Sequence, residues 1–508
     1  QRENAQKRKA LSISQAAVGK ADGHEPQPKR FKLEILGADA FRKTHGIVVH
    51  GREDIEPCET FRSASQLGSK FIKQLRKQGY LAPTPIQAEA WPRVLTGHDL
   101  VAVAATGSGK TCGFLLPALA RLTERGRPSA AEETSELQRP RALVLAPTRE
   151  LAQQISAEAQ KFLIGPVETR PRVVTLFGGV EKFEQIKKLK KGVDMAIGTP
   201  GRVLDLATGN RQQGKKPTLT YESCSYLVLD EADRMLDMGF EPDIRAIVSQ
   251  CLPSGGADQG FASSSIEAGT KRQTLLFTAT WPKNVQCSAE SFTAQDALHI
   301  RIGQSAEKTM GLDQLTAVSS VKQTVRVIEQ GRKIAELRKV LTTEMGKDET
   351  AIVFAGTKLM CETLVRKVSK WGTFGWCDTL HGDIDQKQRN KTLRKFRDLT
   401  SGQDGKGQGV LVATDVAARG LDIPGVALIV IFDYGSAENH VHRVGRTGRA
   451  GAAGRAVTLF SQEDEGSSEL IQILRRANQE VPAELEALSG QQQFPRLAKG
   501  SAGRGAKK

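Results

Sequence analysis

Short apolar runs recur through two long parts of the chain, and each part predicts a set of buried β-strands. Helical spacing of apolar residues, as in Leu151–Phe162, separates the runs, and this alternation predicts parallel sheets covered by helices on both faces. The first set comprises Leu100–Val103, Ala142–Ala146, Val173–Leu176, Val193–Ile197, Tyr226–Leu229 and Thr274–Phe277. The second set comprises Ala351–Phe354, Val410–Ala413, Ala427–Phe432 and Ala456–Phe460.

The predicted fold class is therefore α/β, with two parallel-sheet domains joined by a flexible linker. Both termini are polar and basic, and are expected to be disordered. The predicted boundaries are a tail at 1–40, domain 1 at 41–302, a linker at 303–322, domain 2 at 323–480 and a tail at 481–508. Stretches rich in Gly, Ser, Ala and charge at 124–140, 253–271 and 401–409 are expected to be flexible surface insertions.

A glycine-rich segment follows the first predicted strand and precedes a predicted helix. In the run from Ala104 to Thr111, Gly107 and Gly109 allow a tight turn whose backbone N–H groups can surround an anion. Lys110 can reach the β- and γ-phosphates of a nucleotide, and the Thr111 hydroxyl can ligate Mg²⁺. The usual first glycine of this P-loop is alanine here, so the motif alone is ambiguous.

Two adjacent carboxylates strengthen the nucleotide hypothesis. Asp230 and Glu231 directly follow the strand Tyr226–Leu229. At that edge Asp230 can hold Mg²⁺ and Glu231 can polarise an attacking water. An alternative is that both acids merely complement the dipole of a following helix. Because a P-loop is also present, we favour hydrolysis of a nucleoside triphosphate.

The charge balance points to a polyanionic partner. The chain has 508 residues and a formal net charge of +16, which favours nucleic acid. No apolar run is long enough to span a bilayer, so no membrane partner is expected. The seven cysteines form no Cys-x-x-Cys pair, which is typical of reduced thiols and predicts no zinc site. Basic clusters at Lys7–Lys9 and Lys29–Lys32 could be a nuclear import signal, could bind RNA, or could simply keep the tail in contact with solvent.

Further motifs lie near the ends of the predicted strands. The amide of Gln87, after two fixed prolines, could match the donor and acceptor of an adenine edge. Gly178, Gly179 and Gly201 could admit a nucleic-acid backbone or could simply form turns, while Arg149 and Arg202 could bind phosphates.

Taken together, these motifs resemble those of DEAD-box RNA helicases. They occur in the family's order from Phe41 to about Ser461. They read Gly79-Tyr80-x-x-Pro83-Thr84-Pro85-Ile86-Gln87, Ala104 to Thr111, Pro147-Thr148-Arg149-Glu150-Leu151, Gly178-Gly179, Thr199-Pro200-Gly201-Arg202, Asp230 to Asp233, Thr278-Ala279-Thr280, Ile352-Val353-Phe354, His381-Gly382, Gln386-x-x-Arg389, Ala413-Thr414-Asp415, Arg419-Gly420-x-Asp422 and His442-Arg443-x-Gly445-Arg446-Thr447-Gly448-Arg449.

The resemblance implies two RecA-like domains, with ATP and Mg²⁺ as cofactors and RNA as the partner, held mostly through its sugar–phosphate backbone. The implied catalytic residues are Lys110, Glu231, Arg446 and Arg449. The implied nucleotide-binding residues are Phe61, Tyr80, Gln87, Ala105, Thr106, Gly107, Ser108, Gly109, Lys110, Thr111 and Asp422, with Thr111 and Asp230 as metal ligands. The implied RNA-binding residues are Pro147, Thr148, Arg149, Gly178, Gly179, Thr199, Pro200, Gly201, Arg202, Gly382 and Thr414. Thr278, Thr280 and His442 are implied to couple the two sites.

The departures from the family pattern are mild. Ala105 replaces glutamine, Thr278 replaces serine, and Gly435 and His440 replace a common proline and tyrosine. The segments Phe41–Ile47 and Thr278–Pro282 are most similar to the subgroup active in ribosome assembly and messenger-RNA processing. This similarity predicts ribonucleoprotein assembly partners and a nuclear or nucleolar location, with the cytoplasm as second choice.

The sequence therefore predicts an RNA-stimulated ATPase that separates short RNA duplexes or remodels RNA–protein complexes. One alternative is a clamp that closes on RNA with ATP and rarely hydrolyses it. Another is a DNA helicase with the same core. Rates of ATP hydrolysis with and without RNA, and competition between RNA and DNA, distinguish the three.

Overall fold

The computed structural model describes residues 35–126, 137–209, 216–254, 271–303, 321–401, 407–415, 423, 425–448 and 453–492. Most of the expected N-terminal tail, linker, insertions and C-terminal tail lies outside these residues, as do Asp422 and Arg449. No helix among the described residues is both long and apolar enough to cross a membrane.

The first half of the chain forms a sheet of eight strands with the spatial order β1-β8-β2-β7-β6-β3-β5-β4. The strands are β1 (Ile47–His50), β2 (Leu100–Val103), β3 (Ala142–Leu145), β4 (Val173–Leu176), β5 (Met195–Gly198), β6 (Tyr226–Asp230), β7 (Gln273–Thr278) and β8 (Leu298–Ile302). The pairings are parallel except at the edge, where β1 runs antiparallel to β8. The expected parallel sheet is thus mixed, because β1 closes one edge by running back along β8.

The second half forms a six-stranded parallel sheet with the order β11-β12-β10-β13-β14-β9. The strands are β9 (Val321–Val327), β10 (Thr350–Phe354), β11 (Trp376–Leu380), β12 (Gly409–Ala413), β13 (Val426–Ile431) and β14 (Gly454–Phe460). Strand β9 begins within the range expected to be linker, since Val321, Gln323 and Val325 face inward from a sheet edge.

Helices cover both faces of each sheet. Those of the first domain are α1 (Ala38–His45), α2 (Ser69–Lys77), α3 (Pro85–Leu95), α4 (Lys110–Arg125), α5 (Arg149–Lys161), α6 (Lys182–Leu189), α7 (Pro200–Thr208), α8 (Ala232–Asp237), α9 (Glu241–Val248) and α10 (Lys283–Phe292). Those of the second are α11 (Lys333–Glu344), α12 (Lys358–Lys370), α13 (Gln386–Ser401), α14 (Ala437–Val444), α15 (Ser467–Arg476) and α16 (Ala483–Gln492). Each sheet separates two apolar cores: along β2, Leu100 and Ala102 face one core while Val101 and Val103 face the other.

Two ordered segments extend into the ranges predicted as tails. Helix α16 lies within the basic tail predicted at 481–508, because Leu485 and Leu488 pack with Leu470 and Leu474 of α15. At the other end, α1 begins at Ala38, and the backbone N–H groups of Leu36 and Gly37 donate to the Glu59 carboxylate at 2.8 and 2.9 Å. The apolar packing of α16 and the hydrogen bonds to Glu59 hold these segments against their domains, although their composition predicted tails.

Candidate active site and nucleic-acid interface

The predicted nucleotide residues meet where β2, β6 and β7 end. These strands are neighbours in the sheet, in the order β2-β7-β6. Because the carboxyl ends of parallel strands share one edge, the P-loop, Asp230–Glu231 and Thr278–Thr280 converge there. Ala105, Thr106, Gly107, Ser108 and Gly109 lie in the loop between β2 and α4, and Lys110 and Thr111 begin α4.

The P-loop is held in shape by its lysine. The Nζ of Lys110 donates to the carbonyl of Ala104 at 2.7 Å and to that of Thr278 at 3.4 Å. These carbonyls join the loop to β7, and Lys110 as a whole is only 7% exposed. Gly109 has a φ of 97°, and a Cβ there would lie 2.7 Å from Nε2 of Gln87, so glycine is required.

The carboxylates after β6 occupy a buried, charged environment. Burial raises the pKa of Asp230 to about 7; the Glu231 charge adds to this effect and Lys110 opposes it. Glu231 has a φ of 52°, a left-handed conformation that is unusual for a residue other than glycine. Among the described residues, its buried Oε2 has no hydrogen-bond partner. An unpaired carboxylate oxygen held in a strained backbone suits a group that binds something else.

The predicted coupling residues form one network centred on Asp233. Its Oδ2 accepts from the N–H of Thr280 at 3.0 Å, from the Thr280 hydroxyl at 2.7 Å and from Nε2 of His442 at 3.3 Å. The Thr278 hydroxyl donates to the carbonyl of Thr280 at 3.0 Å. One carboxylate oxygen thus links the P-loop domain to α14 of the second domain.

The protonation state of this network follows from burial. Burial, followed by the Arg234 charge, lowers the pKa of His442, so the neutral imidazole donates its Nε2 proton. Burial alone would raise the pKa of Asp233, but the interaction with His442, the charge of Arg234 and the hydrogen bond from Thr280 hold it below its ordinary value. Sequence reasoning did not select Asp233 as a site residue, although it is the fourth residue of the motif that starts at Asp230.

Other contacts also bring the second domain against the nucleotide residues. Arg446 Nη2 lies 3.8 Å from Oε1 of Glu231, and both side chains are buried. The Thr106 hydroxyl donates to the carbonyl of Gly445 at 3.4 Å. Arg234 donates to Oδ1 of Asn439 at 2.8 Å, a cross-domain bond that no motif reading identified.

The predicted adenine-binding residues already contact other parts of the first domain. Gln87 accepts at Oε1 from the N–H of Thr84 at 3.1 Å and donates from Nε2 to the carbonyl of Gly109 at 3.0 Å. Phe61 is 5% exposed and packs in the core. The Tyr80 hydroxyl donates to Oε1 of Glu158 at 3.1 Å and lies 3.8 Å from Sγ of Cys112, which follows Thr111 in α4.

The predicted RNA residues of the first domain follow β3, β4 and β5, which are neighbours at the other side of the same sheet edge. They are Pro147, Thr148 and Arg149 after β3, Gly178 and Gly179 after β4, and Thr199, Pro200, Gly201 and Arg202 after β5. A Cβ on Gly179 would lie 2.5 Å from Nη1 of Arg149, and Arg202 donates to the carbonyl of Val180 at 3.4 Å. The three loops therefore form one contiguous surface.

The predicted RNA residues of the second domain follow β11 and β12, which are also neighbours. Gly382 lies over Lys358, and the N–H of Thr414 donates to the carbonyl of Leu380 at 3.1 Å. A buried ion pair between Glu150 and Arg389 joins these two groups of predicted RNA residues, and sequence reasoning also missed this pair.

Two family descriptions match the chain. The DEAD/DEAH box helicase family matches residues 84–287, and the helicase conserved C-terminal domain matches residues 332–451.

Similar proteins extend this match to most of the chain. It is 38% identical to DEAD-box ATP-dependent RNA helicase 14 of Arabidopsis thaliana, across 98% of this chain and 72% of the relative. It is 37% identical to ATP-dependent RNA helicase DBP2 of Saccharomyces cerevisiae, across 95% and 79%. The solved structure of Mss116p bound to single-stranded RNA and AMP-PNP is 25% identical, with a TM-score of 0.64 across 87% of this chain and 83% of that one. The chain therefore belongs to the DEAD-box family of ATP-dependent RNA helicases.

Proposed function

We propose that the chain hydrolyses ATP in the cleft between its two domains and uses domain closure on RNA to separate short duplexes or remodel RNA–protein complexes. The observation that carries this proposal is the Asp233 carboxylate, which accepts from Thr280 in one domain and His442 in the other. Because the network exists only when the domains are together, nucleotide chemistry and closure are linked.

The ATP-handling roles follow from charge and position. Lys110 binds the β- and γ-phosphates after exchanging its carbonyl partners for phosphate oxygens. Glu231 accepts a proton from the attacking water, for which its unpartnered Oε2 is suited. Arg446, and Arg449 outside the described residues, stabilise charge on the transferred phosphoryl group. Gln87 and Phe61 hold the adenine, and Asp422 completes the nucleotide site.

Thr111 and Asp230 fit a magnesium site. Both offer hard oxygen donors beside the P-loop, and burial raises the pKa of Asp230 although the Lys110 charge opposes that rise, so a further cation would stabilise this carboxylate. Mg²⁺ keeps several waters and is usually bound through one or two carboxylates plus substrate phosphates, which two protein ligands at this place would suit. When bound, Mg²⁺ supplies neutralisation of phosphate charge.

RNA lies across the two loop surfaces and is held by its sugar–phosphate backbone. Glycines and helix N-termini at Gly179, Thr199 and Gly382 allow close approach of phosphates without reading bases. This arrangement predicts little sequence preference from the two domains.

The test measures steady-state ATP hydrolysis with and without single-stranded RNA, together with displacement of strands from duplexes of increasing length. We expect stimulation by RNA but not by DNA, and displacement that fails progressively on longer duplexes. Closure on RNA without turnover would indicate a clamp, stimulation by DNA alone would indicate a DNA helicase, and a displacement rate independent of length would indicate a translocating motor.

The cellular setting is also a proposal. The basic clusters Lys7–Lys9 and Lys29–Lys32 and the subgroup similarity favour a nuclear or nucleolar role in ribosome assembly. A fluorescent fusion in which both clusters are changed to alanine tests this role. Unchanged nuclear accumulation would refute import through these clusters.

A further inference from the structure

Strand β4 is an edge of the first sheet, and a groove runs along its free side. The strand pairs only with β5, and the groove lies between helices α5 and α6. It has a cavity volume of about 1150 Å³, and Leu163, Val173 and Phe177 form part of its apolar lining. An open strand edge inside a groove has the shape that accepts another extended chain.

The backbone of β4 presents unpaired groups to this groove. The carbonyls of Arg172 and Leu176 accept hydrogen bonds from β5. Because successive residues of a strand direct their N–H and C=O groups to opposite sides, Val173, Thr175 and Phe177 direct theirs into the groove. Within the part of the chain that the structure describes, nothing hydrogen-bonds to the outward backbone groups of Val173 or Thr175.

One side chain already imitates an added strand at the end of this edge. The N–H of Phe177 donates to Oε1 of Gln185 at 3.0 Å, and Nε2 of Gln185 donates to the Phe177 carbonyl at 2.9 Å. Gln185 is 4% exposed and comes from α6. These two bonds are the pair that a neighbouring strand would make, so the edge at Phe177 is closed and the edge at Val173 and Thr175 remains open.

The groove is electrically polarised along its length. Helix α6 runs back along β4, so its end lies near the start of the strand, where Gly192 approaches the Arg172 side chain. Basic groups therefore gather at the amino end of β4, namely Arg170, Arg172, Lys188 and Lys191. Glu181 and Glu184 lie at its carboxyl end. A partner that fits must carry acidic groups at one end and apolar or basic groups at the other.

We propose that this groove binds an extended peptide segment of a partner protein by strand addition to β4. The partner's acidic side chains lie at the Arg170 end, its backbone pairs with Val173 and Thr175, and its alternate apolar side chains lie in the groove. Single-stranded RNA would use the basic end but would leave the strand edge unpaired, so a peptide suits the groove better.

The position of the groove suggests what binding would change. Its carboxyl end includes Phe177 and Val180, which flank Gly178 and Gly179 of the RNA surface. A bound peptide would therefore contact the loop that we propose holds RNA. This consequence rests on the proposed function, whereas peptide binding itself does not.

The test uses two fluorescent ten-residue peptides that alternate valine and threonine, with two aspartates at one end and two lysines at the other. The peptides differ only in which end carries the aspartates. Fluorescence anisotropy with the full chain should show that one of them binds, and its identity gives the direction of pairing. If neither peptide binds, the proposal is overturned.

A matched pair of variants tests the backbone pairing. Thr175→Pro removes the N–H that points into the groove, but it removes no hydrogen bond to β5. Thr175→Val keeps that N–H. Both variants lose the 2.8 Å hydrogen bond from the Thr175 hydroxyl to Ser156, so they differ in the backbone donor. Loss of a backbone hydrogen bond predicts that Thr175→Pro weakens peptide binding by about tenfold relative to Thr175→Val. Equal affinity of the two variants, with equal thermal unfolding, would exclude strand addition.

Two further measurements separate the peptide from RNA. Hydrogen exchange of the full chain should show slower exchange of the Val173 and Thr175 amides when the peptide is added. Lys188→Glu together with Lys191→Glu makes the amino end of the groove nearly neutral and leaves Glu181 and Glu184 in place, so it should reduce the difference in affinity between the two peptides. If instead an oligouridine protects these amides and the peptide does not, the groove is a nucleic-acid site and the proposal fails.

Discussion

Glu150 and Arg389 form a buried ion pair between the two domains: Arg389 Nε lies 2.6 Å from Oε1 of Glu150, and the side chains are 5% and 7% exposed. Glu150 lies in the first turn of α5, beside the proposed RNA residues Thr148 and Arg149. Arg389 lies in the first turn of α13, shortly after Gly382. The pair therefore connects closure of the domains to the surface that we propose binds RNA.

Removing one member of this pair should favour the open arrangement. In the closed form the remaining charge would stay buried without this 2.6 Å ion pair, although Glu150 would keep its 3.4 Å contact with Arg149, whereas domain opening would return the charge to water. We expect Glu150→Gln or Arg389→Gln to lower RNA affinity in the presence of a non-hydrolysable ATP analogue by about tenfold or more.

A double-mutant cycle of the two changes should show strong coupling. The control is Glu486→Gln, which removes an exposed pair with Arg475 inside the second domain. Additive effects of the two substitutions would show that the pair does not contribute to closure.

Glu231 provides the second prediction. If its free carboxylate oxygen accepts a proton from water, Glu231→Gln should bind ATP normally. Its rate of ATP hydrolysis should fall about a hundredfold or more below that of the wild type. The variant should remain on RNA with ATP, as measured by the dissociation rate of a labelled RNA. Glu222→Gln, at an exposed site, serves as the control. Turnover near that of the wild type would exclude the assigned role.

The third prediction separates two arginines of one motif. Arg443 donates from Nε and Nη2 to both oxygens of Asp415 at 2.6 Å and from Nη1 to two carbonyls of its own domain. Arg446 instead faces Glu231 across the cleft. A lysine keeps the charge but loses the planar fork. We therefore expect Arg446→Lys to reduce RNA-stimulated turnover by up to about 10³-fold, with ATP binding retained.

Arg443→Lys should act differently, by lowering the thermal stability of the second domain. Measuring turnover at saturating RNA alongside thermal unfolding for both variants separates the two effects. If Arg446→Lys keeps full stimulation by RNA, Arg446 does not stabilise the transition state.

Most strands that sequence patterns predicted are buried on both faces, whereas the predicted strand β4 is a partly exposed edge strand. Every residue of β2 and β6 is buried, so their apolar runs are continuous. Strands β1, β8, β9 and β11 lie at or beside a sheet edge. Polar residues interrupt β8, β9 and β11, as His299 and Arg301 do in β8, and the apolar run of β1 is only Ile47–Val49, so these strands carry a weaker signal.

In the candidate site, the residues predicted from sequence belong to motifs that are continuous in the chain, whereas contacts between residues far apart in sequence were not predicted. Motif spacing predicted Lys110, Asp230 and Glu231 as site residues because strand, loop and helix follow one another in sequence. Contacts across the cleft carry no such signal, since Glu150 and Arg389 are 239 residues apart and each lies within a motif read for another purpose. The bond from Arg234 to Asn439 depends in the same way on how the domains meet.

Gln87 provides the fourth prediction. Its amide already joins Thr84 to the P-loop carbonyl of Gly109, yet it retains one N–H and one lone pair with which to recognise adenine. Gln87→Ala should therefore raise the KM for ATP by about tenfold and reduce the preference for ATP over GTP. Gln78→Ala, at an exposed position, is the control. Equal turnover of ATP and GTP by the wild type would refute base recognition.

The last prediction concerns acid sensitivity of the second domain. His440 is 1% exposed, and its Nε2 lies 3.0 Å from Oε1 of Gln323 in β9. Burial, with a smaller effect of the Arg443 charge, lowers the pKa of His440 to about 3. In the unfolded chain the His440 imidazole is protonated below about pH 6.5, whereas in the folded domain it stays neutral down to about pH 3. The free energy of unfolding therefore decreases as pH falls from about 6.5 to about 3.

Within that range this histidine should remove about 1.4 kcal/mol of stability for each pH unit. His440→Tyr lacks the titrating group, so the second domain of the variant should lose less stability on acidification. Hydrogen exchange of Val321–Val327 between pH 4 and pH 7, corrected for the intrinsic exchange rate, measures this difference locally. His50→Asn changes an exposed histidine of the first domain and should leave the slope unaltered. If His440→Tyr and the wild type lose protection in parallel, the buried imidazole does not cause the acid sensitivity.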